Sequence, residues 1–583
     1  MTSPNRTSQI WIYDTTLRDG AQREGLSLSL EDKIRIAHQL DALGIPMIEG
    51  GWPGANPKDA QFFWHLKEQP LTQAELVAFC STRRPNRAAA SDELLQNILS
   101  AGTRWITLFG KSWDLHVTEG LKTSLEENLN MIEETIAYLV SQGRRVIYDA
   151  EHWFDGYKNN PGYALETLEA AMAAGAEWLV LCDTNGGALP QEIATIVGQV
   201  RETFDLSIEA PELSTIGQDA SNIPGNISSH ISGDSPKPCL GIHTHNDSET
   251  AVANALAAIG EGARMVHGTI NGYGERCGNA NLCSILPNLQ LKLGYRCIAP
   301  ENLTHLTQTS RLISEIANLA PDDHAAFTGL SAFAHKGGIH VSAVERNPLT
   351  YEHIQPEQVG NSRRIVVSDQ SGLSNILAKA RSFGLELSKQ DPACRQILEE
   401  MKELESQGYQ FEVAEASFEL LMRRVMGQRP VFFELQDFQV HCANQVGGAN
   451  QVREITAWAT VKVTVAGAEF LTAGEGNGPV SALDMALRKA IVNVYPAVEQ
   501  FYLTDYKVRI LDGAAGTSAK TRVLVEASDG HHRWTTVGVS DNIIQASYQA
   551  VAEGIEYGLF LAQHKRLPPL VGQDPEPCVE SAS

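Results

Sequence analysis

Between Ile10 and about residue 290 the chain repeats one rhythm eight times: a short apolar run ending in polar residues, then an amphipathic stretch. The runs are IWIYDTTLRD (10–19), IPMIEGG (45–51), LVAFCS (76–81), WITLFGK (105–111), RVIYDAEH (145–152), WLVLCDTNG (178–186), CLGIHTHND (239–247) and MVHGTINGYG (265–274). Helical periodicity fills 31–43, 57–68, 91–101, 124–142, 161–174, 190–203 and 248–261, and one more helix follows near 281. Strands buried on both faces read as continuous apolar runs, and eight strand–helix units in this length predict an α/β fold, the (β/α)8 TIM barrel. The competing architecture is an open doubly wound sheet. It usually carries a Gly-rich phosphate loop after its first strand, and TTLRDGAQ is not one.

The predicted barrel occupies 1–290, with a Ser-, Gly-, Pro- and Asn-rich insertion at 207–238 read as a surface loop. Residues 291–427 read as helical linker subdomains, broken around AFAHKGGIHVSAVERNP (332–348). From about 428 to 565 the pattern becomes strands with helices, and it repeats. Thr472, Gly474, Ala482, Ala486 and Ile491 align with Thr536, Gly538, Ala546, Ala550 and Ile555 at a constant offset. Two β-β-β-α copies predict a pseudo-symmetric α+β domain, and 566–583 reads as a disordered tail.

Charge narrows the partners. Lys plus Arg is 46 against 70 Asp plus Glu, a net charge of −24, which repels phosphate backbones and argues against nucleic acid. No run approaches 18 apolar residues, so no membrane helix is expected, and MTSPNRTSQIWIYD has the marks of no secretory signal. Nine scattered Cys without a C-x-x-C pair point to free thiols in a reducing compartment, hence a cytoplasmic protein.

Barrel function collects where strands end. His243 and His245 are two apart on a strand, so both rings face the same side, a natural start for a divalent metal site. Asp19 and Asn279 can complete a nitrogen and oxygen set that suits Zn, Mn, Co or Mg without choosing among them. The plainer alternative is one buried, hydrogen-bonded His and one loop His. Arg18 reads as an oxyanion contact or a structural ion pair, and Glu151 as a proton-transfer group or an ordinary salt bridge. Thr184 reads as a carboxylate donor or a helix cap, and Asp247 as the N-cap of helix 248–261.

TTLRDGAQ, GIHTHND and NGYGERCGNANL, in this order at these strand ends, resemble the metal-dependent acyl-CoA condensing enzymes that include 2-isopropylmalate, homocitrate and citramalate synthases. Within that family IEGGWPGANPKD (48–59), FGKSWDLHV (109–117), YDAEHWFDGYKNN (148–160) and CDTNGG (182–187) look most like a long-chain citramalate branch, an acyltransferase joining acetyl-CoA to pyruvate. The alternatives are the isopropylmalate branch, acting on 2-oxoisovalerate, and an acyl-CoA lyase or aldolase on the same barrel. The resemblance implies Asp19, His243, His245 and Asn279 as metal ligands. It makes Arg18 the group that polarises the keto oxygen, Glu151 the active-site glutamate and Thr184 a substrate-carboxylate contact. It implies for His340 a place in the active site of a partner subunit in a homodimer, where it is the first choice for the base, with a Glu151-assisted water behind it.

The repeat resembles the allosteric amino-acid-binding domain of the same family. Each copy runs through a Gly-containing turn into a helix N-terminus, a place suited to a carboxylate. Gly474, Asn477, Gly478, Gly538 and Asp541, with Thr517 on the loop 513–519, are the candidate regulatory residues, and isoleucine is the expected inhibitor.

Overall fold

A computed structural model describes residues 8–209, 237–444 and 455–564. Most of the insertion predicted at 207–238 and the tail predicted from 566 lie outside the described residues. The chain forms two compact units. The first runs to Phe333 and adds Ile354–Ser362; the second comprises Ala334–His353 and the chain from Arg363.

The first unit is a closed barrel of eight parallel strands in chain order: β1 (Trp11–Asp14), β2 (Met47–Gly51), β3 (Glu75–Ser81), β4 (Trp105–Lys111), β5 (Arg145–Glu151), β6 (Trp178–Asp183), β7 (Cys239–Thr244) and β8 (Met265–Gly268). Each follows the position its apolar run predicts, but several end earlier. β1 stops at Asp14 because the Asp14 carboxylate accepts from the Thr16 N–H and hydroxyl, both at 2.9 Å, and turns the chain. Arg18 and Asp19 therefore stand on the loop beyond the strand. The helices between strands bury their apolar stripe against the barrel wall, as in Leu30–Leu43, whose Ser29 and Asp32 form a capping box. Helix Leu306–Ile316, predicted as linker, belongs to this unit, and Gln39 donates to Thr309 across 2.8 Å.

Alternate strand residues point inward and stack in layers. Trp11, Trp105 and Trp178 fill one layer, with Trp11 5.6–6.1 Å from the other two. The next layer is polar. Tyr13, opposite His267 in the β1–β8 register, donates to Glu49 and lies 2.6 Å from the Thr107 hydroxyl. Above it the barrel opens at the strand ends.

In the second unit, two-residue strands β9 (Ala334–His335) and β10 (Arg364–Ile365) precede helices Leu373–Ser382, Pro392–Ser406 and Glu415–Val425. Then come two antiparallel three-stranded sheets, β11 (Phe433–Asn444), β12 (Ile455–Val465), β13 (Ala468–Gly476) and β14 (Tyr502–Ile510), β15 (Thr521–Ser528), β16 (Arg533–Ser540). Helices Pro479–Ile491 and Ile543–His564 follow them. The predicted offset is visible in the packing. Thr472 donates to the Ala486 carbonyl at 2.7 Å, and Thr536 donates to the Ala550 carbonyl at 2.6 Å.

Candidate active site

A cavity of about 550 Å³ opens at the strand ends of the barrel, and its lining includes Arg18, Asp19, Glu151, Thr184, His243 and His245. At its floor His243 Nε2 stands 3.2 Å from His245 Nε2 and 3.3 Å from Asp19 Oδ2, which is 3.7 Å from His245 Nε2. The Asn279 amide nitrogen lies 3.1 Å from Asp19 Oδ2 and 3.3 Å from His243 Nε2. All four residues are buried, and Asn279 Oδ1 has no hydrogen-bond partner among the described residues. Rotating that amide by half a turn, which exchanges two atoms of nearly equal size, adds its oxygen to the donors. Burial raises the Asp19 pKa, but Arg18 and His243 outweigh it and hold the carboxyl well below the usual range. Burial, and then His243, pushes His245 down to about 3. One carboxylate, two imidazoles and one amide oxygen fit a borderline-hard divalent cation. Cys182 lines the same cavity, but burial raises its thiol well above the usual value.

Arg18 is held on three sides. It pairs with the buried Glu49, lies 3.5 Å from Asp19 and sits 3.9 Å over the Phe79 ring. Phe79 stacks on Phe109 at 5.2 Å, and Trp52 stands edge-on to both at 5.8–6.0 Å. This wall explains the segment after β2. Asp59 accepts the Trp52 N–H at 2.9 Å and pairs with buried Lys33, and a Cβ on Gly51 would meet Asp59 Oδ2 at 2.4 Å.

Glu151 pairs with Lys111 in an ordinary salt bridge while still lining the cavity. Thr184 caps no helix. Its oxygen accepts the His152 N–H at 2.9 Å, which leaves the hydroxyl proton free to donate elsewhere. Asp247 does not cap helix Ala251–Gly260, whose N-cap is Thr250. It makes a two-pronged pair with Arg276 at 2.7 and 3.0 Å, and Arg276 also donates to the Thr184 carbonyl, so one guanidinium ties three strand-end loops. The partner lies 29 residues downstream, beyond the reach of local patterning.

Glu49, Asp149, Tyr13 and His267 carry weight here that the sequence reading did not assign. Their signal was a polar residue inside an otherwise apolar strand. Burial raises Asp149 to about 7 and drives His267 well below its usual value.

His340 lies in the second unit, exposed on helix Gly338–Arg346, its ring 4.4 Å from Tyr351. Ile339, Leu349 and Tyr351 around it are exposed too. Among the regulatory candidates, Asn477, Gly478 and Asp541 sit at strand-to-helix turns. Gly474 and Gly538 do not: they are inside β13 and β16, buried beneath helix backbone. Thr517 is on the exposed 3-10 segment Gly513–Ser518.

Residues 9–212 and 213–313 match the HMGL-like family, 327–409 the homocitrate synthase post-HMGL domain-like family, and 412–559 the LeuA allosteric (dimerisation) domain. The chain is 66% identical over 556 residues to the (R)-citramalate synthase of Synechocystis sp., covering 95% of this chain and 97% of that protein. It is 52% identical over 552 residues to the (R)-citramalate synthase of Aquifex aeolicus, covering 95% and 98%. To the 2-isopropylmalate synthase of Methanocaldococcus jannaschii it is 30% identical over 557 residues, covering 94% and 95%. With a barrel mouth built around Asp19, His243 and His245 and this likeness along nearly its whole length, the chain belongs to the (R)-citramalate synthase family, whose HMGL-like barrel is joined to a LeuA allosteric domain.

Proposed function

We propose that this chain condenses acetyl-CoA with pyruvate and hydrolyses the resulting thioester to give (R)-citramalate. The observation that carries the reading is the convergence of Asp19, His243 and His245 beside Arg18 in one cavity. Asp19, His243, His245 and Asn279 would hold a divalent cation, which would supply Lewis acidity toward the keto group of the 2-oxo acid. Arg18, fixed by Glu49 and Phe79, faces the oxygen on which negative charge develops as the new carbon–carbon bond forms. Thr184 donates its free hydroxyl proton to the substrate carboxylate. The weakly acidic methyl proton of acetyl-CoA goes to a positioned base. His340 of a second copy is our assignment, supported by its exposure among Ile339, Leu349 and Tyr351, with a Glu151-assisted water as the second reading. The Trp52–Phe79–Phe109 wall beside Arg18 favours a methyl side chain over a branched one.

A panel of 2-oxo acids with acetyl-CoA, following free CoA, tests this. Pyruvate is expected to show the highest kcat/KM; a higher value for 2-oxoisovalerate replaces the reading with isopropylmalate synthesis. His243→Ala is expected to abolish turnover and weaken cation binding while the fold persists. Normal turnover in that variant removes the site assignment.

For the second unit we propose a homodimer whose repeat domain binds isoleucine as feedback inhibitor, supported by the LeuA match and by the two strand-to-helix turns that open helices Pro479–Ile491 and Ile543–His564. Calorimetry of the full chain with isoleucine, leucine and valine is expected to show isoleucine binding. No heat with any of the three, and turnover indifferent to them, leaves the domain a dimerisation module.

A further inference from the structure

A neutral histidine carries one ring proton, and a ring nitrogen that binds a cation must be the bare one. His243 Nε2 faces Asp19, His245 and Asn279, so in the cation-bound form the proton sits on Nδ1. A buried Nδ1–H needs an acceptor. The atom facing it is His267 Nδ1, at 3.4 Å. Two N–H groups cannot point at each other, so His267 must carry its own proton on Nε2. That nitrogen lies 3.3 Å from the Met265 sulfur, a weak acceptor in an otherwise apolar layer. The His267 ring is fixed by stacking on Tyr13 at 4.0 Å and 16°, and only 1% of it is exposed. Asp149 Oδ1, 3.9 Å from His267 Nδ1, is beyond hydrogen-bond range.

We propose that His267 is a positioning residue: its Nδ1 accepts the Nδ1–H of His243 and holds His243 in the neutral tautomer whose Nε2 is free for a divalent cation. The Met265 sulfur, taking the Nε2–H of His267, fixes the tautomer of the whole chain of rings. The same geometry bears on the second acidic and histidine group in the barrel, Asp149, His243 and His267, whose ligand atoms also lie close enough for an ion. An ion there and another at Asp19 would need both nitrogens of His243 stripped of protons, an imidazolate bridge. The tautomer chain excludes that, so the site takes one cation per chain.

The inference rests on reading Asp19, His243 and His245 as a cation site, and the test separates the two. Mn²⁺ is titrated into the full chain after chelator treatment, with free Mn²⁺ followed by electron paramagnetic resonance. Wild type is expected to bind one Mn²⁺; no binding overturns both readings, and two ions per chain overturn this one. His267→Phe keeps the stack on Tyr13 but accepts no hydrogen bond, and is expected to weaken Mn²⁺ binding roughly 10- to 100-fold. His267→Gln offers a carbonyl acceptor and is expected to recover most of that loss. Met265→Leu is expected to show a smaller loss of the same sign. Unchanged binding in His267→Phe, or equal losses in Phe and Gln, overturns the inference. Should His267→Phe fail to fold, His267→Leu takes its place with the same expectation.

Discussion

Asn279 occupies the space that a side chain on Gly274 would need: a Cβ there would stand 1.8 Å from Asn279 Oδ1. The Gly-rich loop after β8 is therefore shaped around the amide that we assign as the fourth cation ligand, and its backbone is tied back where Asn246 N–H donates to the Gly278 carbonyl at 2.8 Å.

Gly274→Ala should consequently act as a ligand mutation without touching a ligand. We expect at least a roughly tenfold loss of Mn²⁺ affinity, as for changes in groups that orient ligands, together with a lowered melting temperature, since Gly274 has a φ of +155°. Unchanged Mn²⁺ affinity would show that Asn279 is not a ligand.

The aromatic wall makes a separate prediction about selectivity. Phe109 stacks on the Phe79 ring over which Arg18 lies, so Phe109→Ala opens the wall and is expected to leave the Arg18–Phe79 stack in place. One methylene in an apolar pocket is worth about 1–3 kcal/mol. The ratio of kcat/KM for 2-oxobutanoate over pyruvate should rise roughly tenfold or more. A ratio that stays at the wild-type value places the side-chain pocket elsewhere.

Stability should carry a signature of Asp14. Burial raises its pKa from the ordinary 3.8 to about 7, against the lowering effect of the Thr16 hydrogen bonds. A carboxyl that binds its proton more tightly when folded favours the native state at low pH, and that contribution is lost as pH rises from about 4 through 7. The loss amounts to about 4 kcal/mol at full ionisation, about 1.4 per unit. Asp14→Asn keeps an oxygen for the Thr16 N–H and has nothing to ionise. Thermal melts at pH 8 should place it above wild type, with the gap closing towards pH 5. A gap that does not change with pH would refute the assignment.

The strands and helices of the barrel were legible because buried parallel strands are apolar runs and helices keep their own period. His243 and His245 were legible because spacing by two fixes a shared face. Glu49 and His267 escaped because a polar residue within an apolar run says nothing of which inward neighbours it meets. Tyr13 and His267 become partners only when β1 closes on β8, 254 residues apart. Asp247 was misread for the same reason: a local capping pattern competes with Arg276, which only the folded loops bring near.

The repeat gives the sharpest contrast between glycines. A Cβ on Gly538 would lie 2.0 Å from the Ala546 carbonyl oxygen, and one on Gly474 would lie 2.4 Å from the Ala486 nitrogen. Both clashes are with helix backbone, which cannot rotate away. Either Gly→Ala should force the helix off its sheet and cost about 1–3 kcal/mol. Gly478 differs. It is the N-cap of helix Pro479–Ile491, its φ of −168° is open to any residue, and a Cβ there meets nothing within 4 Å among the described residues. Gly478→Ala should leave the melting temperature near wild type, yet place a methyl group at the helix N-terminus where an amino-acid carboxylate would bind. We expect Gly538→Ala to lose both stability and isoleucine inhibition, and Gly478→Ala to lose inhibition alone. Melting curves and turnover against isoleucine, measured on the same preparations, separate the two. Full isoleucine inhibition in Gly478→Ala would move the effector away from this turn.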